Sequence, residues 1–166
     1  MSALTPGSVA PEMSLASLNG TGTISLSQAR QRGPVLAAFF KVSCPVCQFA
    51  FPYLERIYKA YGDKKVSFLG VSQNDAEASR EFAREYKITF PIALDDTRKY
   101  PASNAYGLTT VPSIFLISPE GKIELSSVGW DKKDIEELNR RVAKASGTAV
   151  VSVFRPGEQV PDFKAG

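Results

Sequence analysis

The stretch "FFKVSCPVCQ" (39–48) contains the only two cysteines of the chain, Cys44 and Cys47, with two residues between them. Thiols at this spacing serve as a metal clip, a structural staple, a reversible dithiol–disulfide couple or the head of a thiol peroxidase. The chain has no histidine. Ser-His-Asp and Cys-His catalysis and His-ligated metal sites are therefore excluded, because none can be assembled without imidazole. A zinc or iron–sulfur site needs about four protein ligands, usually Cys or His, and the two cysteines supply half of them. An inert staple closing so short a loop restricts the unfolded chain very little. Cysteines kept only as small core residues would be indifferent to the spacing. Reversible redox chemistry is the favoured reading, with no metal and no bound cofactor expected.

The flanking elements explain how such a pair would be positioned. "PVLAAFF" (34–40) is a continuous apolar run without polar alternation, the pattern of a strand buried on both faces. From Pro45 to Tyr61 the apolar positions Ala50, Tyr53, Leu54, Ile57, Tyr58 and Tyr61 recur at helical spacing. Gly62 and Asp63 are expected to end that helix, and Pro52 to kink it. Cys44 then falls at the junction of strand and helix, with Pro45 in the first turn, where its missing N–H costs nothing. A sulfur at the N-cap faces unpaired backbone N–H groups and the positive end of the helix dipole, a setting that favours thiolate over thiol. Cys47 lies one turn later and deeper. Cys44 is thus the natural attacking sulfur and Cys47 the natural resolving one.

Strand-like and helix-like patterns alternate through the rest. "VSFLGVS" (66–72) reads as a second buried strand. "NDAEASREFAREY" (74–86) places Ala78, Phe82, Ala83 and Tyr86 on one helical face, with Asn74 or Asp75 as N-cap. "FPIALDD" (90–96) is extended, and a short helix around Ala102–Tyr106 closes at Gly107. "SIFLIS" (113–118), the turn "PEGK" (119–122) and "IELSSVG" (123–129) form a hairpin. The final helix, 131–146, carries Ile135, Leu138, Val142 and Ala145 on one face. Residues 1–33 are expected to hold a hairpin around Asn19–Gly20. "VVSVF" (150–154) has the composition of an extra strand. "PGEQVPDFKAG" (156–166) partly echoes "PGSVAPEMSLA" (6–16), an echo that a Pro/Gly-rich segment produces by chance or that marks the start of a second, similar domain.

The 166 residues suit one domain, and 43% hydrophobic with 22% charged residues is an ordinary globular composition. A net charge of +3, interleaved along the chain, gives no reason to expect nucleic acid or an anionic membrane as partner. The opening residues lack the pattern of a secretory signal, and no run approaches the roughly 18 apolar residues of a membrane span. A cytoplasmic address is expected on this basis, or a periplasmic one if an anchor has been removed.

"TTVPSIFLI" puts Val111 and Pro112 directly before a buried strand. A proline there has a plain reading, since its absent N–H is harmless at a strand's first position. In company with the Cys-x-x-Cys it takes on another. The sequence resembles the thioredoxin superfamily, in particular the TlpA/ResA-like thiol–disulfide oxidoreductases with an AhpC/TSA–redoxin-like domain. The likeness runs from about Gly7 to Ala145 and is carried by "VLAAFFKVSCPVCQFAFPYLERIYKAYGDKKVSFLGVSQND", "FPIALDD", "AYGLTTVPSIFLISPEGKIE" and the closing helix. It implies an α/β, thioredoxin-like fold, with a central mixed β-sheet, helices on both faces and an N-terminal β extension. Residues 1–149 would form that domain, with 1–33 as the extension and 150–166 as a tail or extra strand.

The resemblance also implies roles. Cys44 and Cys47 would be catalytic, with Ser43, Pro45, Val111 and Pro112 against the substrate. Pro112 would be cis, and the Val111 backbone would pair with a bound peptide. Partners would be protein disulfide or dithiol substrates and an external thiol reductant. Three positions depart from the pattern: Ser43 stands where a Trp usually precedes the motif, and Ala38 and Ala50 stand where related proteins carry acids that move protons for the buried thiol. A peroxiredoxin-like thiol peroxidase is the first rival, but "FFKVSC" lacks the Thr-x-x-Cys signature, and Arg80, Arg84 and Arg98 sit in no matching motif. A non-enzymatic redox sensor or adaptor is the second. Lys41 would support a thiolate at Cys44 or serve only as a solvated charge.

Overall fold

In the computed structural model, which describes residues 3–20, 22–61 and 65–166, the elements follow one another as β1 (Ser14–Ser17), β2 (Thr23–Ser25), α1 (Leu26–Arg30), β3 (Val35–Phe40), α2 (Pro45–Tyr61), β4 (Ser67–Ser72) and α3 (Ala76–Glu85). They continue as β5 (Ile92–Leu94), α4 (Pro101–Ala105), β6 (Ser113–Ile117), β7 (Ile123–Val128), β8 (Trp130–Asp131), α5 (Lys132–Ala145) and β9 (Phe163–Lys164). One seven-stranded sheet runs in the order β2-β1-β5-β4-β3-β6-β7. Strands β3, β4 and β5 are parallel to one another and linked by α2 and α3, while β6 pairs antiparallel with β3 and β7, and β1 antiparallel with β5 and β2. The mixed α/β architecture and the N-terminal β hairpin are those expected. Gly62 and Asp63, expected to end α2, lie outside the described residues.

Every residue of β3, β4 and β6 is buried, so both faces at the centre of the sheet are covered. Alternation along β3 divides the core in two. Phe39 turns to one face, where its ring meets Tyr106 at 5.3 Å and Phe115 at 5.8 Å. Phe40 turns to the other and meets Phe51 of α2 at 4.5 Å and Phe82 of α3 at 4.7 Å. Helix α2 contains Pro52 without being divided, because the packing of Phe51, Leu54 and Ile57 on the sheet holds it in place.

Two polar residues that the periodicity leaves unremarked are buried to fasten loops. The Glu55 carboxylate accepts from the N–H of Thr89 at 2.9 Å, from the Thr89 hydroxyl and from the N–H of Phe90. Asp95 accepts from the N–H groups of Ala102 and Ser103 and from the Ser103 hydroxyl. Buried carboxylates persist where several donors satisfy them.

The expected strand at 150–154 does not form. Its β-branched composition suits a strand, but a strand needs a partner edge. Here the backbone of Val151 is held by side chains, with Tyr61 Oη 2.9 Å from its N–H and Asn139 Nδ2 2.7 Å from its carbonyl. The strand of the closing segment is β9, which pairs antiparallel with β8. The echo of residues 6–16 in 156–166 extends to one contact. Tyr106 Oη donates to the Pro11 carbonyl and Trp130 Nε1 to the Pro161 carbonyl, both at 2.7 Å.

Candidate active site

The site begins where β3 leaves the sheet. Residues 41–43 form a turn closed by the Cys44 N–H on the Lys41 carbonyl, and the Gln48 N–H then bonds the Cys44 carbonyl in the first helical turn. Cys44 is therefore the residue that caps α2. Its sulfur accepts from the Cys47 N–H at 3.2 Å, the bond an N-cap side chain makes to the third helical residue.

Cys44 is half-buried and Cys47 fully buried, and both are free thiols. Burial pushes the Cys47 thiol far above its ordinary range, and its hydrogen bond with Cys44 pushes in the same direction. Charge at Cys47 is costly because burial strips the sulfur of solvent, and the buried alanines at positions 38 and 50 offer no carboxylate to take its proton.

The peptide bond between Val111 and Pro112 is cis. The thiol of Cys44 donates to the Val111 carbonyl at 3.5 Å, bringing together residues 67 apart in sequence. Neighbouring bonds hold that loop: the Ser113 hydroxyl donates to the Thr110 carbonyl at 2.8 Å, and the Gly129 N–H to the Pro112 carbonyl at 2.8 Å. Ser43 and Pro45, on either side of Cys44, are exposed. Lys41 is also exposed and, with Gln73, Tyr100, Asn104 and Val111, borders a polar recess of about 340 Å³.

Two positioning residues were not read from the sequence as part of the site. Asn74 Oδ1 accepts from the Val42 N–H at 2.9 Å, and Gln48 Nε2 donates to the Val42 carbonyl at 2.9 Å, so Val42 is clamped on both sides just ahead of Cys44. Asn74 was legible as a helix cap, but Asp75 performs that task through the Ala78 N–H. A third is Trp130, fully buried, whose ring meets Phe49 and Tyr53 of α2 at 4.9 Å each. Of the three arginines considered for peroxide chemistry, Arg80 donates to the Leu18 carbonyl and Arg98 is paired with Asp96. Among the described residues no group of three or more His, Cys, Asp or Glu side chains has an arrangement to hold a metal ion, and no helix is long and apolar enough to cross a membrane.

Residues 6–126 match the AhpC/TSA family. The chain is 33% identical over 121 residues to the thiol-disulfide oxidoreductase ResA of Bacillus subtilis (strain 168), covering 72% of this chain and 65% of that protein. It is 34% identical over 136 residues to the thiol-disulfide oxidoreductase ResA of Geobacillus kaustophilus (strain HTA426), covering 81% and 76%. Among solved structures, the thioredoxin domain of a thiol-disulfide oxidoreductase from Bacteroides vulgatus superposes with a TM-score of 0.74 at 28% identity, over 84% of this chain and 98% of that one.

Proposed function

The chain belongs to the AhpC/TSA family, as a TlpA/ResA-like thioredoxin-fold member whose relatives are thiol–disulfide oxidoreductases, and from that premise we propose that it exchanges disulfides with protein substrates through Cys44 and Cys47. The single observation that carries this reading is the asymmetry of the pair: Cys44 is half-buried, caps a helix and is hydrogen-bonded by an N–H, while Cys47 is fully buried one turn behind it.

In the reducing direction, the thiolate of Cys44 attacks one sulfur of a substrate disulfide, and the other sulfur leaves as a thiolate. The mixed disulfide so formed is then attacked by Cys47, deprotonated for the step. The Cys44–Cys47 disulfide forms, the second substrate sulfur departs, and the substrate gains two electrons and two protons overall. An external dithiol returns the pair to the reduced state. In this reading the backbone next to the substrate sulfur comes to rest beside Val111, with Ser43 and Pro45 flanking the approach, which the 3.5 Å bond from the Cys44 thiol to the Val111 carbonyl and the exposure of Ser43 and Pro45 support.

Turnover of a protein disulfide with a thiol reductant tests the reading, together with the reduction potential of the pair against glutathione. Exchange with a potential near about −270 mV marks a dithiol reductant, and one near about −120 mV an oxidant. Consumption of hydrogen peroxide without disulfide exchange overturns the proposal in favour of the peroxidase. Partner binding by a Cys44→Ser protein with no exchange by the parent chain overturns it in favour of the adaptor.

The elevated Cys47 pKa makes the resolving step sensitive to pH. Only thiolate attacks, and below its pKa the thiolate fraction rises about tenfold per pH unit. Because burial raises the Cys47 pKa, the fraction is small at neutral pH and grows as pH rises. Release of thionitrobenzoate from a mixed disulfide on Cys44, followed by stopped flow, is expected to accelerate by about tenfold per unit between pH 6 and 8. A flat profile would show that Cys47 is not the limiting nucleophile.

A further inference from the structure

The closing segment 155–166 does not hang free. It is fastened at four places, and Gly166 lies against the site. Glu158 makes a bidentate pair with Arg56 of α2, at 2.8 Å through each oxygen. Trp130 Nε1 donates to the Pro161 carbonyl at 2.7 Å, and the Lys132 N–H to the Asp162 carbonyl at 2.9 Å. Phe163 and Lys164 add a strand to Trp130–Asp131, and the Lys164 ammonium sits 5.3 Å above the ring of Phe49, two residues beyond Cys47.

Close backbone contact sets the path of the last residues. Gly129 has φ +74°, and a Cβ there would stand 2.5 Å from the Lys164 carbonyl oxygen. A Cβ on Gly166 would stand 2.3 Å from the Val111 carbonyl oxygen and 3.0 Å from the Thr110 hydroxyl. Gly166 thus rests on the same carbonyl that accepts from the Cys44 thiol. A disulfide attacked by Cys44 must bring its sulfur to within about 3–3.5 Å of Sγ. The chain flanking that sulfur then needs the space beside Val111 that Gly166 occupies.

We infer that residues 155–166 are a built-in strap lying across the substrate edge at Val111, and that an extended protein segment reaches Cys44 only when the strap is displaced. The inference rests on the reading of Cys44 as the attacking thiol. The strap mimics what it excludes, since it is an extended backbone laid on the β8 edge and ending in contact with Val111. A small disulfide needs less of that edge and is impeded less.

The test uses two variants of the full chain that leave the cysteines and Val111 unchanged. Gly166→Val places a side chain where the Val111 backbone stands, and Glu158→Gln loosens the far end of the strap at Arg56. The first readout is the rate at which an extended peptide carrying a maleimide at its middle alkylates Cys44 in the reduced protein, located by peptide mass. The second is kcat/KM for a protein disulfide compared with a small aromatic disulfide. Both variants are expected to alkylate about tenfold faster, as for a site open a tenth of the time in the parent. Turnover of the protein disulfide rises in step, and that of the small disulfide rises less. Parent-like alkylation in both variants overturns the strap. Faster alkylation in variants that, like the parent, exchange no disulfide leaves the strap as a cover over Cys44 and overturns the oxidoreductase reading instead.

Discussion

Cys44→Ser is expected to reduce disulfide exchange to the uncatalysed background, whereas Cys47→Ser is expected to arrest the protein as a mixed disulfide with its substrate. The two thiols are not equivalent in the fold. Cys44 is half-buried, with an N–H donating to its sulfur, and a hydroxyl in its place forms no disulfide at all. Cys47 is buried and raised in pKa, so it takes no part in the first attack. Its contribution is proximity. A thiol held one turn away acts at a high effective concentration, and replacing it with millimolar external thiol lowers turnover by at least about 100-fold. A covalent adduct visible by mass under non-reducing conditions in Cys47→Ser, and absent from Cys44→Ser, checks the assignment. An adduct on Cys47 in the Cys44→Ser protein would reverse the order of the sulfurs.

The largest structural effect is expected at the single tryptophan, Trp130. Its ring is fully buried between Phe49, Tyr53 and Phe154, with centroids at 4.9, 4.9 and 6.2 Å. Trp130→Ala removes those contacts and leaves a cavity, at a cost of about 3–5 kcal/mol in chemical denaturation. Trp130→Phe keeps most of the packing but leaves the Pro161 carbonyl without its indole donor, which costs about 1–3 kcal/mol. The ordering of the two variants is the informative quantity. Equal losses would mean that the hydrogen bond, not the ring, holds the region together. Because Trp130 also carries β9 on its backbone, both variants loosen the strap, and their effect on Cys44 alkylation should run parallel to that of Glu158→Gln.

The departures from the thioredoxin-like pattern acquire a physical sense in the fold. Ser43 is exposed and sets no ring beside Cys44, and the chain's single tryptophan lies instead beneath the closing segment, against α2. Ala38 is fully buried between Gly70 and Ile114 in the sheet. The acid that α2 does bury, Glu55, is engaged with Thr89 and Phe90. The alanines at 38 and 50 give Cys47 no carboxylate at those positions to take its proton, and burial raises its pKa, so the pH profile of the resolving step is the sensitive measurement.

Local signals were enough for much of this. The buried runs at 34–40 and 66–72, the helical spacing of 45–61 and the turn at 119–122 became β3, β4, α2 and the β6–β7 hairpin, because each is set by burial and periodicity within a few residues. The Cys-x-x-Cys was legible for the same reason, its chemistry following from a strand end, a proline in the first turn and a helix. Long-range contact decided the rest. Nothing near residue 55 announces that its carboxylate closes a loop at 89–90, and nothing near residue 74 announces that it braces Val42. Val150 and Val151 read as strand by composition, yet a strand exists only where another edge is free to pair with it, and side chains of Tyr61 and Asn139 took that backbone first. The meeting of Gly166 with the Val111 carbonyl beside Cys44 joins three parts of the chain. Residue types along the chain determine which elements form and where the two cysteines fall on them; only the packed structure determines what lies beside Val111 and Cys44, because contact between distant segments depends on the path of everything between them.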